Sequence, residues 1–181
     1  RLPRGTAQAI AGDPGLVIVE EPTAGLDPEE RLRFYHLLAE LAEDRIVVLS
    51  THIVEDVAVL CPRFAVIRGG RLVAQTTPAE ARNAIAGQIF EGAVDASAVD
   101  DLAREHRVIQ SILVEGRHRA RLYAPDRSAP AGFERVTPTL EDAYLVLMRA
   151  EVDRDRPKAA GGEGHVPAHR SVDEPVPAGA R

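Results

Sequence analysis

Cysteine is almost missing from this sequence: Cys61 stands alone among 181 residues. No intramolecular disulfide and no cysteine-built zinc cluster can form, which suits a reducing compartment. Basic residues are outnumbered by acidic ones, 22 to 28. The formal net charge of −6 argues against nucleic acid as the partner, because phosphate binding needs a basic patch. No apolar run approaches the roughly 18 residues of a membrane-spanning helix, and no secretory signal pattern is visible. The G-x-x-x-x-G-K-[ST] phosphate loop does not occur anywhere in the chain, and no internal repeat is present. What remains is 45% apolar residues, enough for a real core over about 150 positions.

The most informative stretch runs from Gly15 to Asp27 and reads GLVIVEEPTAGLD. Leu16, Val17, Ile18 and Val19 form a continuous apolar run between Pro14-Gly15 and Pro22. That pattern predicts a strand buried on both faces of a parallel sheet. The run leads straight into Glu20 and Glu21. Ligands of open α/β sheets gather at the carboxyl ends of such strands, and two adjacent carboxylates there would raise each other's pKa. A divalent cation and an attacking water are the usual reasons to tolerate such a pair. A second apolar strand, at residues 46–49, ends in Ser50-Thr51-His52, placing His52 thirty-one positions after Glu21.

Acidic strand, Pro-Thr-Ala-Gly-Leu-Asp, helix, apolar strand and Ser-Thr-His, in this order and spacing, resemble the C-terminal half of an ATP-binding-cassette (ABC) ATPase. The resemblance implies that Glu21 orients and polarises the water that attacks the γ-phosphate. It implies that Glu20 takes the place of the acidic residue holding Mg²⁺ through its waters, a position usually filled by Asp. His52 corresponds to the histidine that contacts the γ-phosphate. Gly25 and Asp27 fall in the loop that crosses to a partner subunit, and Asp27 also reads as a helix N-cap. In intact relatives two nucleotide-binding subunits sandwich ATP and Mg²⁺, the phosphate loop of one facing the Leu-Ser-Gly-Gly-Gln signature of the other. That signature is absent here as well. Residue 1 is Arg rather than Met, and Leu2-Pro3-Arg4 departs from the family pattern. The expectation is therefore a portion of a transporter ATPase subunit that is inactive by itself. Its implied partners are membrane subunits and a second nucleotide-binding subunit, with no nucleic acid, and its implied place is cytoplasmic, at the inner face of the plasma membrane. Two other readings are a soluble, non-transport ABC ATPase and a non-catalytic remnant acting only as a binding partner.

The expected fold class is α/β: a partial P-loop NTPase-like parallel sheet with flanking helices, followed by a small α+β domain. The expected boundaries are 1–84, 85–152 and a disordered tail at 153–181. A helix is predicted at residues 5–11. Another starts at Asp27-Pro28-Glu29-Glu30, with Asp as cap and Pro at the first turn, and buries Leu32, Tyr35, Leu38 and Leu41. Residues 53–61 read as a helix stopped by Pro62. Gly69-Gly70 marks a hairpin, and Thr77-Pro78-Ala79-Glu80 a capping box. Beyond residue 85 the pattern is strand 88–94, helix 96–106, a hairpin around Glu115-Gly116-Arg117, a short strand at 133–136 and a helix at 139–150. Thr137-Pro138-Thr139-Leu140-Glu141-Asp142-Ala143-Tyr144 resembles the end of the extension found in many bacterial ABC export ATPases. Arg117, His118, Arg119 and Arg121 give that second hairpin a basic character, but without the aromatics of a nucleic-acid surface.

Overall fold

A computed structural model describes residues 14–155. The helix expected at residues 5–11 and everything from residue 156 onward lie outside them. The described residues form a mixed α/β fold, and none of its helices is long and apolar enough to cross a membrane.

Strands β1 (Leu16–Glu20) and β2 (Ile46–Ser50) pair in parallel, Leu16 opposite Ile46 and Glu20 opposite Ser50. Helix α1 (Pro28–Asp44) connects them. Its cap is as the sequence predicts: the Asp27 carboxylate accepts the Glu30 N–H at 2.8 Å. The buried stripe differs from expectation. Phe34, Leu38 and Leu41 are buried while Leu32 is exposed, because residue 32 lies about 200° around the helix from residue 34. β1 departs in the same way. Val17 and Val19 are buried, but Leu16 and Ile18 are exposed, as are Ile46 and Val48 beside them. The expected burial on both faces fails because no described element packs on that second face.

Helix α2 (Val54–Leu60) follows β2. β3 (Phe64–Arg68) and β4 (Arg71–Thr76) then form an antiparallel hairpin. Its turn residues Gly69 and Gly70 both have positive φ, +54° and +74°, the left-handed backbone that a two-residue hairpin turn requires. Helix α3 (Pro78–Ala84) opens with the predicted capping box: Thr77 Oγ1 accepts from Glu80 N at 3.1 Å, and Glu80 accepts from Thr77 N at 3.1 Å.

The rest is a four-stranded antiparallel sheet in the order β6-β7-β5-β8. β5 is Ile89–Val94, β6 Val108–Val114, β7 Arg117–Tyr123 and β8 Phe133–Arg135. The expected helix at 96–106 is a short 3₁₀ turn, Ala96–Ala98, followed by α4 (Val99–Glu105). Helix α5 is Leu140–Asp155, longer than the predicted 139–150. Its first turn carries a reciprocal cap, Thr139 N donating to Asp142 and Asp142 N to Thr139 Oγ1. One face of the sheet packs Phe90, Val108, Ala120 and Leu122 together. A second cluster joins Ala81, Ile85, Ile89, Ile109, Leu140 and Ala143, with Val54 and Val57 of α2 packed against it. That cluster draws residues from both sides of position 84/85 and seats α5 against α2.

Candidate functional site

Parallel pairing of β1 and β2 brings their carboxyl ends side by side, and with them Glu21 and His52. The Glu21 backbone N–H donates to the Ser50 carbonyl at 2.8 Å, extending the ladder by one residue. There the chain leaves the strand with Glu21 at φ +43°, a left-handed conformation uncommon for a side-chain-bearing residue. The turn aims its carboxylate across at the end of β2. Oε1 accepts the His52 backbone N–H at 2.9 Å and lies 2.8 Å from His52 Nδ1, and Oε2 accepts the Thr51 hydroxyl at 3.3 Å. Thr51 Oγ1 in turn accepts the Ile53 N–H at 3.0 Å. Hydrogen bonding from His52, foremost, holds the Glu21 carboxyl below its ordinary range, outweighing partial burial. Glu21 is thus a carboxylate with three of its roughly four acceptor directions filled. The Nδ1 contact also fixes the ring: in neutral His52 the proton sits on Nδ1, leaving Nε2 as an outward acceptor.

The other predicted residues lie around this pair without joining it. Glu20 is exposed at the end of β1, on the open face by strand alternation. Gly25 has φ +76° and shapes the loop between Glu21 and α1, while Asp27 caps α1 as described. Among the described residues no group of three or more His, Cys, Asp or Glu side chains could hold a metal ion. The carboxylates present are hard oxygen donors of the type Mg²⁺ takes. They suit a Mg²⁺ carried largely by phosphate oxygens and water rather than one held in a protein cage.

Beneath the loop lies a polar cluster that sequence reasoning missed. Asp56 is 0% exposed. Its Oδ2 accepts the Thr23 hydroxyl, and its Oδ1 accepts Arg31 Nε at 3.0 Å, Arg31 Nη2, and the Tyr35 hydroxyl at 2.6 Å. Burial pushes the Asp56 carboxyl up, but the Thr23, Tyr35 and Arg31 donors outweigh it and leave the group below its ordinary value. One carboxylate thereby ties the loop after Glu21, helix α1 and the helix that follows His52. The available signal was the pair Arg31 and Tyr35, four apart on α1 and so on one helix face.

His52 also borders a cleft of about 600 Å³ between α2 and the start of α5, lined by Ile53, Glu55, Thr139, Glu141 and Tyr144 among others.

No protein-family model matches the chain. Seventy-three residues, 40% of the chain, are 42% identical to the Nod factor export ATP-binding protein I of Rhizobium johnstonii and cover 24% of it. The same protein of Rhizobium meliloti is 42% identical over 73 residues, 22% of its length. That of Burkholderia pseudomallei is 40% identical over 73 residues, 24% of its length. The match thus spans about a quarter of each of these relatives. Over those residues the chain is similar to the C-terminal portion of an ABC ATPase of export type.

Proposed function

We propose that this chain is part of the ATP-binding and ATP-hydrolysing subunit of an ABC export transporter, supplying the hydrolytic end of the nucleotide site. The observation that carries the reading is the Glu21–His52 contact, 2.9 Å to the backbone N–H and 2.8 Å to Nδ1, at the carboxyl ends of two parallel strands. Ligands of such sheets bind there.

In this reading Glu21 stays ionised because His52 and Thr51 donate to it, and its remaining lone pair orients the attacking water. His52, turned by Glu21, presents Nε2 toward the terminal phosphate, to which it donates a hydrogen bond when both ring nitrogens carry protons. Glu20 takes the Mg²⁺ position, and that ion supplies charge neutralisation of the phosphates when bound. Gly25 and Asp27 lie in the loop that meets a second nucleotide-binding subunit. Membrane subunits are the remaining partners, which places the chain at the cytoplasmic face of the plasma membrane. Nucleic acid has no part in this reading. Residues 1–84 are the nucleotide-binding portion and 85–152 an accessory portion in this reading.

Two measurements test this. The 181 residues contain no loop or lysine to cradle β- and γ-phosphates. Alone they are expected to show no micromolar ATP affinity by calorimetry and no Mg²⁺-dependent hydrolysis; micromolar binding would contradict the reading. When a relative's phosphate-loop half is joined ahead of these residues, Glu20→Asp is expected to raise turnover across a Mg²⁺ titration with less change in ATP affinity. The shorter side chain leaves room for the metal's water shell. Equal rates for Glu and Asp at position 20 would remove Glu20 from the metal position.

A further inference from the structure

We propose that Thr23 and Asp56 clasp together the two loops that carry Glu21 and His52, which makes Thr23 a positioning residue for the hydrolytic pair. The effect of the clasp on turnover rests on the roles proposed above for Glu21 and His52. Its effect on where those two side chains stand does not.

The pair needs holding from behind. The His52 side chain is 77% exposed, so packing does little to orient its ring, and the ring stands where the Glu21 carboxylate sets it. Glu21 in turn takes φ +43° although it bears a side chain and precedes Pro22, a neighbour that favours extended backbone. Such a conformation persists only where the surrounding contacts over-determine it.

Those contacts close into a ring. After β1 the loop turns on local bonds: Ala24 N–H donates to the Glu21 carbonyl and Leu26 N–H to the Thr23 carbonyl, each at 3.2 Å. After β2 the chain enters α2, where Asp56 N–H donates to the Ile53 carbonyl at 3.1 Å. Neither set fixes one loop against the other. Beyond the strand ladder, two side-chain links do. In front, the Glu21 carboxylate accepts from Thr51 and His52. Behind, the hydroxyl of Thr23, two residues after Glu21, donates to Oδ2 of Asp56, four residues after His52. Thr23 is 4% exposed and Asp56 0%, so water does not compete for this bond, and the dry surroundings strengthen it.

The two Asp56 oxygens face different elements. Oδ1 accepts from Arg31 and Tyr35 on α1, and Oδ2 faces the loop. Removing the Tyr35 hydroxyl leaves Arg31 on Oδ1 and the loop bond in place. Removing the Thr23 hydroxyl opens the ring behind Glu21 and leaves α1 attached. Each change deletes one hydroxyl donor from the same carboxylate, yet only the second should reach His52.

The test compares Thr23→Val, Thr23→Ser and Tyr35→Phe in the full 181-residue chain. Imidazole nitrogen NMR at about pH 8.5, well above the ordinary histidine value of about 6.5, reads which His52 nitrogen carries the proton. The unmodified chain, Thr23→Ser and Tyr35→Phe are expected to keep it on Nδ1. Thr23→Val should move most of the ring to the Nε2–H form that an unconstrained histidine prefers, and should speed exchange of the His52 amide at least about 10-fold, the scale of one lost hydrogen bond. Should Thr23→Val not fold, Thr23→Ala, which leaves room for a water at Asp56, serves in its place. In a cassette rebuilt with a relative's phosphate-loop half, Thr23→Val should lower kcat at least about 10-fold with KM for ATP little changed, since a misplacement of about 1 Å at such a site costs on the order of 100-fold. A proton kept on Nδ1 in Thr23→Val, or lost equally in Tyr35→Phe, would overturn the clasp. A shifted ring with unchanged kcat would overturn its part in hydrolysis. If Glu21→Gln leaves hydrolysis intact, the roles assigned to this strand end fail, and the ring readout alone still decides the clasp.

Discussion

Replacing Asp56 with alanine is expected to cost about 3 kcal/mol of folding stability, the loss typical when one partner of a buried charged pair is removed. The carboxylate is fully buried and accepts from Thr23, Arg31 and Tyr35. Alanine removes the acceptor and leaves all three donors facing an apolar void. Urea unfolding of the 181-residue chain measures the cost as a lower midpoint at unchanged slope. Asp56→Asn keeps one acceptor oxygen and should cost less. A loss below about 1 kcal/mol for Asp56→Ala, the value of an ordinary hydrogen bond, would show that the cluster is incidental.

The same cluster sets a pH dependence at both ends of the scale. The folded Asp56 carboxyl titrates below its unfolded value of about 3.9. Its contribution is therefore present above that pH and is lost as acid carries the folded group through its lower value. Tyr35 behaves oppositely. Burial, with the Asp56 carboxylate second, pushes its hydroxyl up to about 12. The neutral phenol thus contributes stability below its ordinary value of about 10, and that contribution disappears as pH rises through about 12. Asp56→Asn should flatten the acid limb, and Tyr35→Phe the alkaline one.

Local chemistry was readable wherever one or two residues decide the backbone. Gly69-Gly70 can take left-handed φ without a clash, and Thr77 with Glu80 satisfies two orphan amides at once, so both features stand where the sequence puts them. The order of β1, α1 and β2 followed from the apolar runs and the residues that end them, whereas the contact of Glu21 with His52 was not among the expectations. Less was readable where the outcome depends on contacts distant in sequence. Asp56 sits in a helix among Val54, Val57 and Cys61, and periodicity alone gives no reason to bury a carboxylate. Its burial rests on donors 21 to 33 residues away. The choice of Phe34 over Leu32 for the core has the same origin, since both are apolar and only the tertiary partner selects the face. Strand β1 reads as two-sided because the sequence records its apolarity, while the second face meets no described element.

The most direct test of the central claim is steady-state ATP hydrolysis by a cassette rebuilt with a relative's phosphate-loop half ahead of these residues, comparing Glu21 with Glu21→Gln. Both Glu20 and Glu20→Asp backgrounds should be assayed, so that the metal position does not limit the comparison. Glutamine matches the side chain in size and still offers an oxygen to the His52 N–H and Nδ1–H, now 2.9 and 2.8 Å from the carboxylate. What it lacks is the charge that polarises a water. Nucleotide binding should therefore survive while kcat falls at least about 100-fold, the lower range for a positioned base. Loss of kcat without loss of affinity marks an interaction made only in the transition state. A rebuilt cassette that turns over equally well with glutamine at position 21 would contradict the assignment of this strand end as the hydrolytic half of the site.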